Sequence, residues 1–168
     1  MEHDDTVRCL ALPLAGHQLL VPNAVVAEVF AAESVAPVRE GPDWLLGSVT
    51  WRGSLLPLVC MEAALGGSRP EPGSRSKVVV MKALSPGDTL KHYAVLLQGI
   101  PHQVLASDET VTRDPSMNGA RPFVTVDLSM DGARASIPDL DALEQALLDV
   151  AEKWESIGSQ DNREAEDA

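Results

Sequence analysis

The chain has 168 residues, 45% of them hydrophobic and 4% aromatic, and its formal net charge at pH 7 is −12. This length suits one domain of ordinary size, with a core built mainly of Val, Leu and Ala. The acidic balance excludes nucleic acid as a partner, because binding to phosphates requires clustered Lys and Arg. No signal segment and no apolar run of the roughly 20 residues needed to span a membrane are present, so we expect a cytoplasmic protein without membrane insertion.

The chain opens with a predicted β-hairpin. Val7 to Leu14 alternates between the two faces of a strand, Ala15 to His17 marks a turn, and Gln18 to Val21 forms the returning strand. Asn23 is then expected to cap a helical turn over Ala24 to Ala27. Residues 31–43 contain two prolines and a glycine, which predict a loop.

A second hairpin is predicted in the middle of the chain. Its strands are two short apolar or β-branched runs, Leu46 to Thr50 and Leu55 to Val59. Between the strands lie Trp51, Arg52, Gly53 and Ser54. Gly53 can take the positive φ that a tight turn demands. Pro57 removes a backbone donor, so the second strand is expected to be an edge or a bend at that point.

Two side chains at the hairpin tip can each be interpreted in two ways from the local sequence. Arg52 is either a solvated turn charge or a five-donor fork that a partner can bind. Trp51 is either an anchor of the core or a stacking face at a partner surface.

The second half of the chain predicts further short strands, over Lys77 to Ala83, Leu90 to Leu97 and His102 to Ala106. Residues 107–120 are polar and predicted as loop. A final hairpin pairs residues 122–128 with residues 133–137. Its turn is Asp131-Gly132, a strong two-residue hairpin signal.

A helix is predicted to begin at Pro138 or Asp139. Its apolar stripe repeats at helical spacing and consists of Leu140, Leu143, Leu147 and Val150, with Trp154 and Ile157 as an extension. The residues that follow, 158–168, are polar and acidic and are predicted to be disordered.

Residues 42–59 resemble the signature hairpin of the CheW family, the coupling proteins of bacterial chemosensory arrays. The glycines, Arg52, Pro57 and the apolar pattern of that signature are present. Three positions depart from it, namely Thr50 where the family has Asn, Trp51 where it has Leu, and Cys60 where it has Asp.

Two further segments carry the resemblance. Leu10 to Phe30 is similar to the opening of the family, whose V-x-E-V motif appears here as Val26-Ala27-Glu28-Val29. Gln98 stands where the family has an acidic residue after a strand of its second lobe.

About ten predicted short strands, separated at regular intervals by turn-forming residues, indicate an all-β protein. The resemblance implies two small SH3-like five-stranded β-barrels packed together, with a C-terminal α-helix. We therefore expect one domain over residues 7–150, with a first lobe at 7–67, a flexible linker at 68–76 and a second lobe at 77–150, followed by the disordered tail at 158–168.

The sequence predicts no catalytic, cofactor or metal site. The four histidines are scattered and none stands at metal-ligand spacing with another ligand. Cys60 is interpreted as a buried thiol at a strand end, and the alternative is a nucleophile beside a histidine. The expectation is that the protein is not an enzyme.

The resemblance implies an adaptor that couples chemoreceptors to a CheA-type histidine kinase. Its expected partners are the regulatory domain of that kinase and the cytoplasmic tip of a receptor or another CheW-like protein. The expected contact residues are Arg52, Trp51, Thr50, Gly53, Val26, Glu28 and Val29. For Glu28 the alternative is an exposed strand charge, and for Val26 and Val29 it is packing in the core.

The departures from the signature suggest an accessory or divergent member, such as those of the chemosensory system that controls type IV pili. Two other functions stay open. One is a small thiol-dependent or hydrolytic enzyme that uses Cys60. The other is an SH3-like module that binds a peptide or small ligand outside signalling.

Overall fold

The computed structural model describes residues 6–32, 35–38, 40–87, 89–114 and 122–152. Within these residues no helix has the length and apolar character to cross a membrane. The predicted tail at 158–168 and the extension of the helix to Trp154 and Ile157 lie outside the described residues.

The described chain consists mostly of strands. They are β1 (Val7–Leu14), β2 (His17–Pro22), β3 (Val26–Ala31), β4 (Ala36–Pro37), β5 (Leu45–Trp51), β6 (Ser54–Val59), β7 (Lys77–Lys82), β8 (His92–Leu97), β9 (His102–Ala106), β10 (Val111–Arg113), β11 (Val124–Met130) and β12 (Ala133–Pro138). A 3-10 turn covers Asn23–Val25 and a short helix, α1, covers Met61–Ala64. The C-terminal helix, α2, is described over residues 140–152.

The strands form two curled sheets. The order in sheet 1 is β3-β7-β8-β6-β5-β4, and the order in sheet 2 is β10-β11-β12-β2-β1-β9. Each sheet contains one parallel pair, β6 with β8 in sheet 1 and β12 with β2 in sheet 2. Beside the five strands expected, each sheet has one very short strand, β4 or β10.

The two sheets do not divide the chain as the predicted lobes at 7–67 and 77–150 do. β1 and β2 belong to sheet 2, because β1 pairs with β9 and β2 pairs with β12. β7 and β8 belong to sheet 1 with β3 to β6. The segment 68–76 therefore joins α1 to β7 within the same half, and the chain crosses between the sheets after β2 and again after β8. These partners lie far apart in sequence, so hairpin signals alone do not identify them.

Among the described residues, three clusters of buried apolar side chains stabilise the sheets. The largest, the central core, contains side chains from both sheets and both helices, among them Leu12, Leu19, Met61, Tyr93 and Leu143. A second cluster fills sheet 1 with Val, Leu and Ala side chains, and a third fills sheet 2. Since the central core receives side chains from both sheets and from the helices, it joins them into one unit.

Most of the local elements are those that the sequence predicts. Arg52 and Gly53 form the turn between β5 and β6, and Asp131 and Gly132 form the turn between β11 and β12. Helix α2 begins where expected, and the Asp139 carboxylate caps it by accepting the backbone N–H of Ala142 at 3.1 Å.

Three local predictions need correction or refinement. The helical turn is shorter than expected, and Asn23 does not cap it, because Pro22 holds the cap position without a side-chain hydrogen bond. Residues 107–120 contain β10, whose three residues are too few to show a period. At Pro57, β6 pairs with β5 alone, since its pairing with β8 begins at Leu58. The expected edge at Pro57 is therefore local.

Tyr93, the only tyrosine of the chain, provides a test of the central core. Burial, followed by the charges of Glu144 and Asp141, raises the pKa of Tyr93 above its usual value. The unfolded phenol loses its proton near pH 10, whereas the folded one retains it. The contribution of Tyr93 to stability is therefore complete below that pH and declines as the pH rises further.

We expect phenolate absorbance to appear on alkaline titration only together with the loss of the far-ultraviolet circular dichroism of the folded protein. Tyr93→Phe should abolish the absorbance change and serves as the control. Phenolate formation with an unchanged dichroism spectrum would show that the ring is not in a closed core.

Candidate protein-binding site

The tip of the β5–β6 hairpin holds Arg52 in an unusual backbone conformation. Trp51 pairs with Ser54, which leaves Arg52 and Gly53 as a two-residue loop with φ of +49° and +79°. Two positive φ values are the mark of a type I′ turn, which favours Asn or Asp before Gly. An L-residue other than these costs roughly 1–2 kcal/mol in the left-handed region. Arg52 is thus held, exposed, at a position where the turn itself does not favour arginine.

The hairpin of β11 and β12 has the same kind of turn and shows the contrast. Asp131 and Gly132 adopt φ of +50° and +79°, nearly the same angles as Arg52 and Gly53. Aspartate is a preferred residue for this place in a type I′ turn. The chemistry of the arginine side chain, rather than the geometry of the turn, is therefore the better explanation for Arg52.

The Trp51 indole contacts three polar side chains. Its Nε1–H donates a hydrogen bond to the Glu28 carboxylate. Its ring lies 4.9 Å from the His92 ring, centroid to centroid, with an interplanar angle of 54°. The Arg52 guanidinium carbon lies over the indole, 4.7 Å from the ring centroid. This spacing is within the range of a cation–π contact.

Trp51 also joins parts of sheet 1 that do not share backbone hydrogen bonds. Glu28 lies on β3, at one end of the strand order, and Trp51 lies on β5, near the other end. The half-buried indole packs against the core of sheet 1 as well. Trp51 therefore combines the two roles that its sequence left open, since it anchors the core and is still partly exposed at the surface.

The other predicted contact residues are placed as follows. Thr50 is exposed beside Trp51, and Gly53 follows Arg52 in the turn. Val29 is 37% exposed, whereas the half-buried Val26 packs against the central core. The structure thus brings Glu28, Trp51 and Arg52 together, with Thr50 and Gly53 adjacent in the chain, and it directs Val26 toward the interior.

Two residues of this surface were missed by sequence reasoning. His92 is predicted only as part of the strand Leu90 to Leu97, and no signal in the sequence connects it with Trp51, 41 positions earlier. Leu55 is 72% exposed directly after the turn, where it was predicted only as part of a strand. A depression of about 240 Å³ runs from Trp51 and His92 past Leu55 to Pro57.

Two lysines lie in or next to this depression. Lys91 lines it, and the exposed Lys82 lies opposite His92 in the pairing of β7 with β8. With Arg52, these lysines make a basic patch on a chain whose formal net charge is −12. Glu28, the acidic group that contacts Trp51, already accepts the indole N–H. The patch is therefore suited to contact with carboxylates.

Cys60 does not have the environment of a nucleophile. It is fully buried, and that burial is the main cause that raises the pKa of its thiol above the usual value. Its Sγ–H points to the Glu62 carboxylate at 3.8 Å, whose charge also raises the pKa. Reactive cysteines show the opposite, a lowered pKa and access to solvent.

A serine, a histidine and an aspartate do meet in sheet 2, but in an order that does not activate the serine. The Ser136 hydroxyl donates to the Asp127 carboxylate at 2.7 Å, and the His17 Nε2 lies 2.7 Å from the same hydroxyl oxygen. Since the one hydroxyl proton goes to Asp127, the His17 ring is the donor and cannot act as the base. Ser136 is also fully buried. In the described part of the chain, no three ligand-type side chains form a metal site.

The chain matches the CheW-like domain family over residues 8–147. It belongs to that family. It is also 24% identical over 136 residues to the chemotaxis protein CheW of Rhizobium meliloti (strain 1021), a match that covers 80% of this chain and 84% of that protein. The match to the CheW-like domain confirms the resemblance first seen in residues 42–59.

A solved structure shows the same architecture. The crystal structure of the scaffolding protein TtCheW from Thermoanaerobacter tengcongensis superposes with a TM-score of 0.66, covers 83% of this chain and 90% of TtCheW, and is 15% identical in sequence. At this identity the likeness concerns the fold alone. It confirms the predicted fold class, two small SH3-like barrels with a C-terminal helix.

The bond between Trp51 and Glu28 can be measured by a double-mutant cycle. Trp51→Phe removes the indole N–H and Glu28→Ala removes the acceptor. We expect the two changes in the free energy of unfolding to be non-additive by about 0.5–1 kcal/mol, because the bond is exposed and competes with water.

Trp44→Phe is the matched control for this cycle. It removes the same atoms from an indole that packs edge-on against Phe123, with the ring centroids 5.9 Å apart. Its effect should add to that of Glu28→Ala. Strict additivity of the Trp51 and Glu28 changes in urea unfolding would contradict the assigned bond.

Proposed function

We propose that this protein is a non-enzymatic adaptor that couples chemoreceptors to a CheA-type histidine kinase through protein–protein contacts. The observation that carries the proposal is Arg52, presented at a strained turn over Trp51 in a chain of the CheW-like family. The role comes from the family, whose members act as scaffolds, and the surface chemistry indicates how this chain contributes. A cytoplasmic location follows from the same role.

Arg52 retains its capacity to bind a partner. Among the described residues no carboxylate forms an ion pair with Arg52, and its guanidinium carbon lies over the Trp51 ring, 4.7 Å from the centroid. A cation–π contact pairs none of the five N–H donors of the guanidinium with an oxygen acceptor, so these donors stay available to a partner. A bidentate pair with a carboxylate of the partner is the geometry that this arrangement favours.

The remaining predicted contact residues complete the proposed surface. Thr50 and Gly53 flank the pair Trp51–Arg52 on the exposed tip, and β3 contributes Glu28, with the exposed Val29 next to it in the strand and on its opposite face. Glu28 orients the indole, which in turn supports the guanidinium. We assign this surface to a receptor tip or another CheW-like protein, and a second surface of the domain to the regulatory domain of the kinase.

The departures from the signature bear on which member of the family this is. Trp51 enlarges the aromatic surface under Arg52, and its N–H engages the Glu28 carboxylate, which would otherwise be available to a partner. We therefore propose a divergent or accessory member with a modified receptor contact, as in a chemosensory system that controls type IV pili. Because the Glu28 carboxylate is engaged by Trp51, we expect the partner to carry a different distribution of charge at this contact.

Substitutions of Arg52 test the proposed surface. Arg52→Ala should weaken binding to a receptor tip fragment by at least about tenfold, roughly 1.4 kcal/mol, and Arg52→Lys should recover only part of that loss. Arg52→Asn should weaken binding as much as alanine does. It should also raise the free energy of unfolding, by up to about 1 kcal/mol, because Asn-Gly suits a type I′ turn.

The measurement is calorimetric titration against the receptor tip fragment and the kinase regulatory domain, beside urea unfolding of each variant. Arg134→Ala is the matched control, since it removes the same charge from an exposed position near the tip of the β11–β12 hairpin. Unchanged affinity of Arg52→Ala for the receptor tip fragment would refute the assignment of this surface, whatever the result with the kinase regulatory domain.

The substitution Cys60→Ala distinguishes an adaptor function from that of a thiol enzyme. The substitution removes one buried sulfur, and we expect partner binding and cell phenotype to be retained with a modest loss of stability. Because the parent thiol is fully buried, and that burial also raises its pKa, it should react with a thiol reagent at neutral pH only as fast as the protein unfolds. Cys9→Ala, at the other buried cysteine, is the control.

Loss of function in a Cys60→Ala variant that stays folded and as stable as Cys9→Ala would favour the enzyme instead. Rapid thiol modification of the folded parent would lead to the same conclusion. Neither result would affect the fold.

A further inference from the structure

A second depression, the sheet 2 depression, lies where the two outer strands of sheet 2 meet. These strands are β9 and β10, which stand at opposite ends of the strand order and are joined by the turn over residues 107–110. The sheet 2 depression has a volume of about 450 Å³. Small-molecule sites are frequent in the mouths of β-barrels, and they typically enclose roughly 300–1,000 Å³.

The lining of the sheet 2 depression is mostly apolar and reaches the buried cluster of sheet 2. Cys9, Leu20 and Leu128 line it, and all three belong to that cluster. The more exposed part of the lining includes Val7 from β1 and Ala106 from β9. An apolar molecule in this place would therefore leave water and pack directly against the core of the sheet.

One cation projects from the inner face of the sheet at this opening. Arg113 is the last residue of β10 and pairs with Leu128 of β11, just as Val111 pairs with Met130. Residues that lie opposite each other on paired strands share a face, as do residues two apart in one strand. Since Leu128 and Met130 are buried, this face is the inner one. Arg113 thus lines the sheet 2 depression from the apolar side of its strand.

Arg113 is available to a ligand. Among the described residues no carboxylate forms an ion pair with it. The exposed Asp108 also lines the sheet 2 depression, from the turn between β9 and β10. Its negative charge disfavours a ligand with several carboxylates, whereas a single carboxylate can bind the guanidinium bidentately. The charges at the opening therefore favour a ligand with one carboxylate.

We propose that the sheet 2 depression binds a small monocarboxylate with an apolar body, of the class of medium-chain fatty acids. The apolar body packs against Leu20 and Leu128, and the carboxylate pairs with Arg113 at the opening. Polar metabolites would leave the apolar lining poorly matched, and uncharged apolar molecules would leave Arg113 without a partner. Sheet 2 carries this site, whereas the proposed receptor contact lies on sheet 1, so either assignment can fail without the other.

Calorimetric titration of the full chain with octanoate and with octanol tests the site. The two probes share an apolar chain and differ in charge. We expect octanoate to bind with a stoichiometry of one and more tightly than octanol. Arg113→Gln should weaken octanoate binding by at least about tenfold, because it removes a charge-assisted pair, and should leave octanol binding unchanged.

Arg8→Gln is the matched control. Arg8 is exposed between Val7 and Cys9 on β1, so it projects from the outer face of the same sheet, and its loss should leave octanoate binding unchanged. Asp108→Asn should strengthen octanoate binding, because it removes a like charge from the opening. Ala106→Phe should fill the sheet 2 depression and abolish binding of both probes. Urea unfolding of each variant shows whether it is folded.

Four results would overturn the proposal. Equal affinity of octanoate for the parent and for Arg113→Gln would show that Arg113 does not bind the carboxylate. Binding that does not saturate would indicate an adventitious amphiphile. A peptide ending in leucine that bound more tightly than octanoate would assign the site to a partner's chain terminus. No octanoate binding, together with self-association of Arg113→Gln in ultracentrifugation, would make Arg113 an inward-facing charge that protects the edge strand β10.

Discussion

The architecture depends on the central apolar core that the two sheets share. Each sheet by itself encloses a small cluster of Val, Leu, Ala and a few other side chains, too little to stabilise a barrel of that size alone. The central core adds residues from β1 and β2, from β5 to β8, and from both helices. Chain segments from both ends therefore meet in one cluster, and neither half is expected to fold without the other. Long-range pairs such as β1 with β9 are the geometric consequence.

A buried carboxylate at the same junction accounts for two departures from the family signature. Glu62, on α1, accepts the backbone N–H of Ala15 at 3.1 Å and the side-chain amide of Gln98 at 3.2 Å, and the Cys60 thiol points to it. Acidic groups at positions 60 and 98 would both be repelled by Glu62 in this poorly solvated place. The thiol and the amide act as donors instead, so the two substitutions, 38 positions apart, form one electrostatic unit.

The sequence determines local elements far better than their partners. Alternation and turn residues place β1, β2, β9 and the two type I′ hairpins, because these signals depend on neighbours within a few residues. The sheet that a strand joins depends on which faces are buried together. The predicted lobes therefore grouped β1 and β2 with β3 to β6, whereas in the structure β7 and β8 join that sheet and β1 and β2 join the other one. The same holds for the site. Arg52 and Trp51 were found from a motif, whereas His92 reaches Trp51 only through the pairing of β8 with β6 and β7.

The charge distribution explains why a basic patch matters on an acidic protein. Salt screens the formal net charge of −12 beyond the Debye length of about 8 Å at physiological ionic strength, so its repulsion of an acidic partner acts mainly at short range. Within that length, Arg52, Lys82 and Lys91 provide local attraction around one aromatic surface. On the proposed surface, an acidic partner is attracted when its carboxylates face this patch, whereas the acidic remainder of the chain disfavours other orientations. Such a surface gains specificity of orientation rather than speed of association.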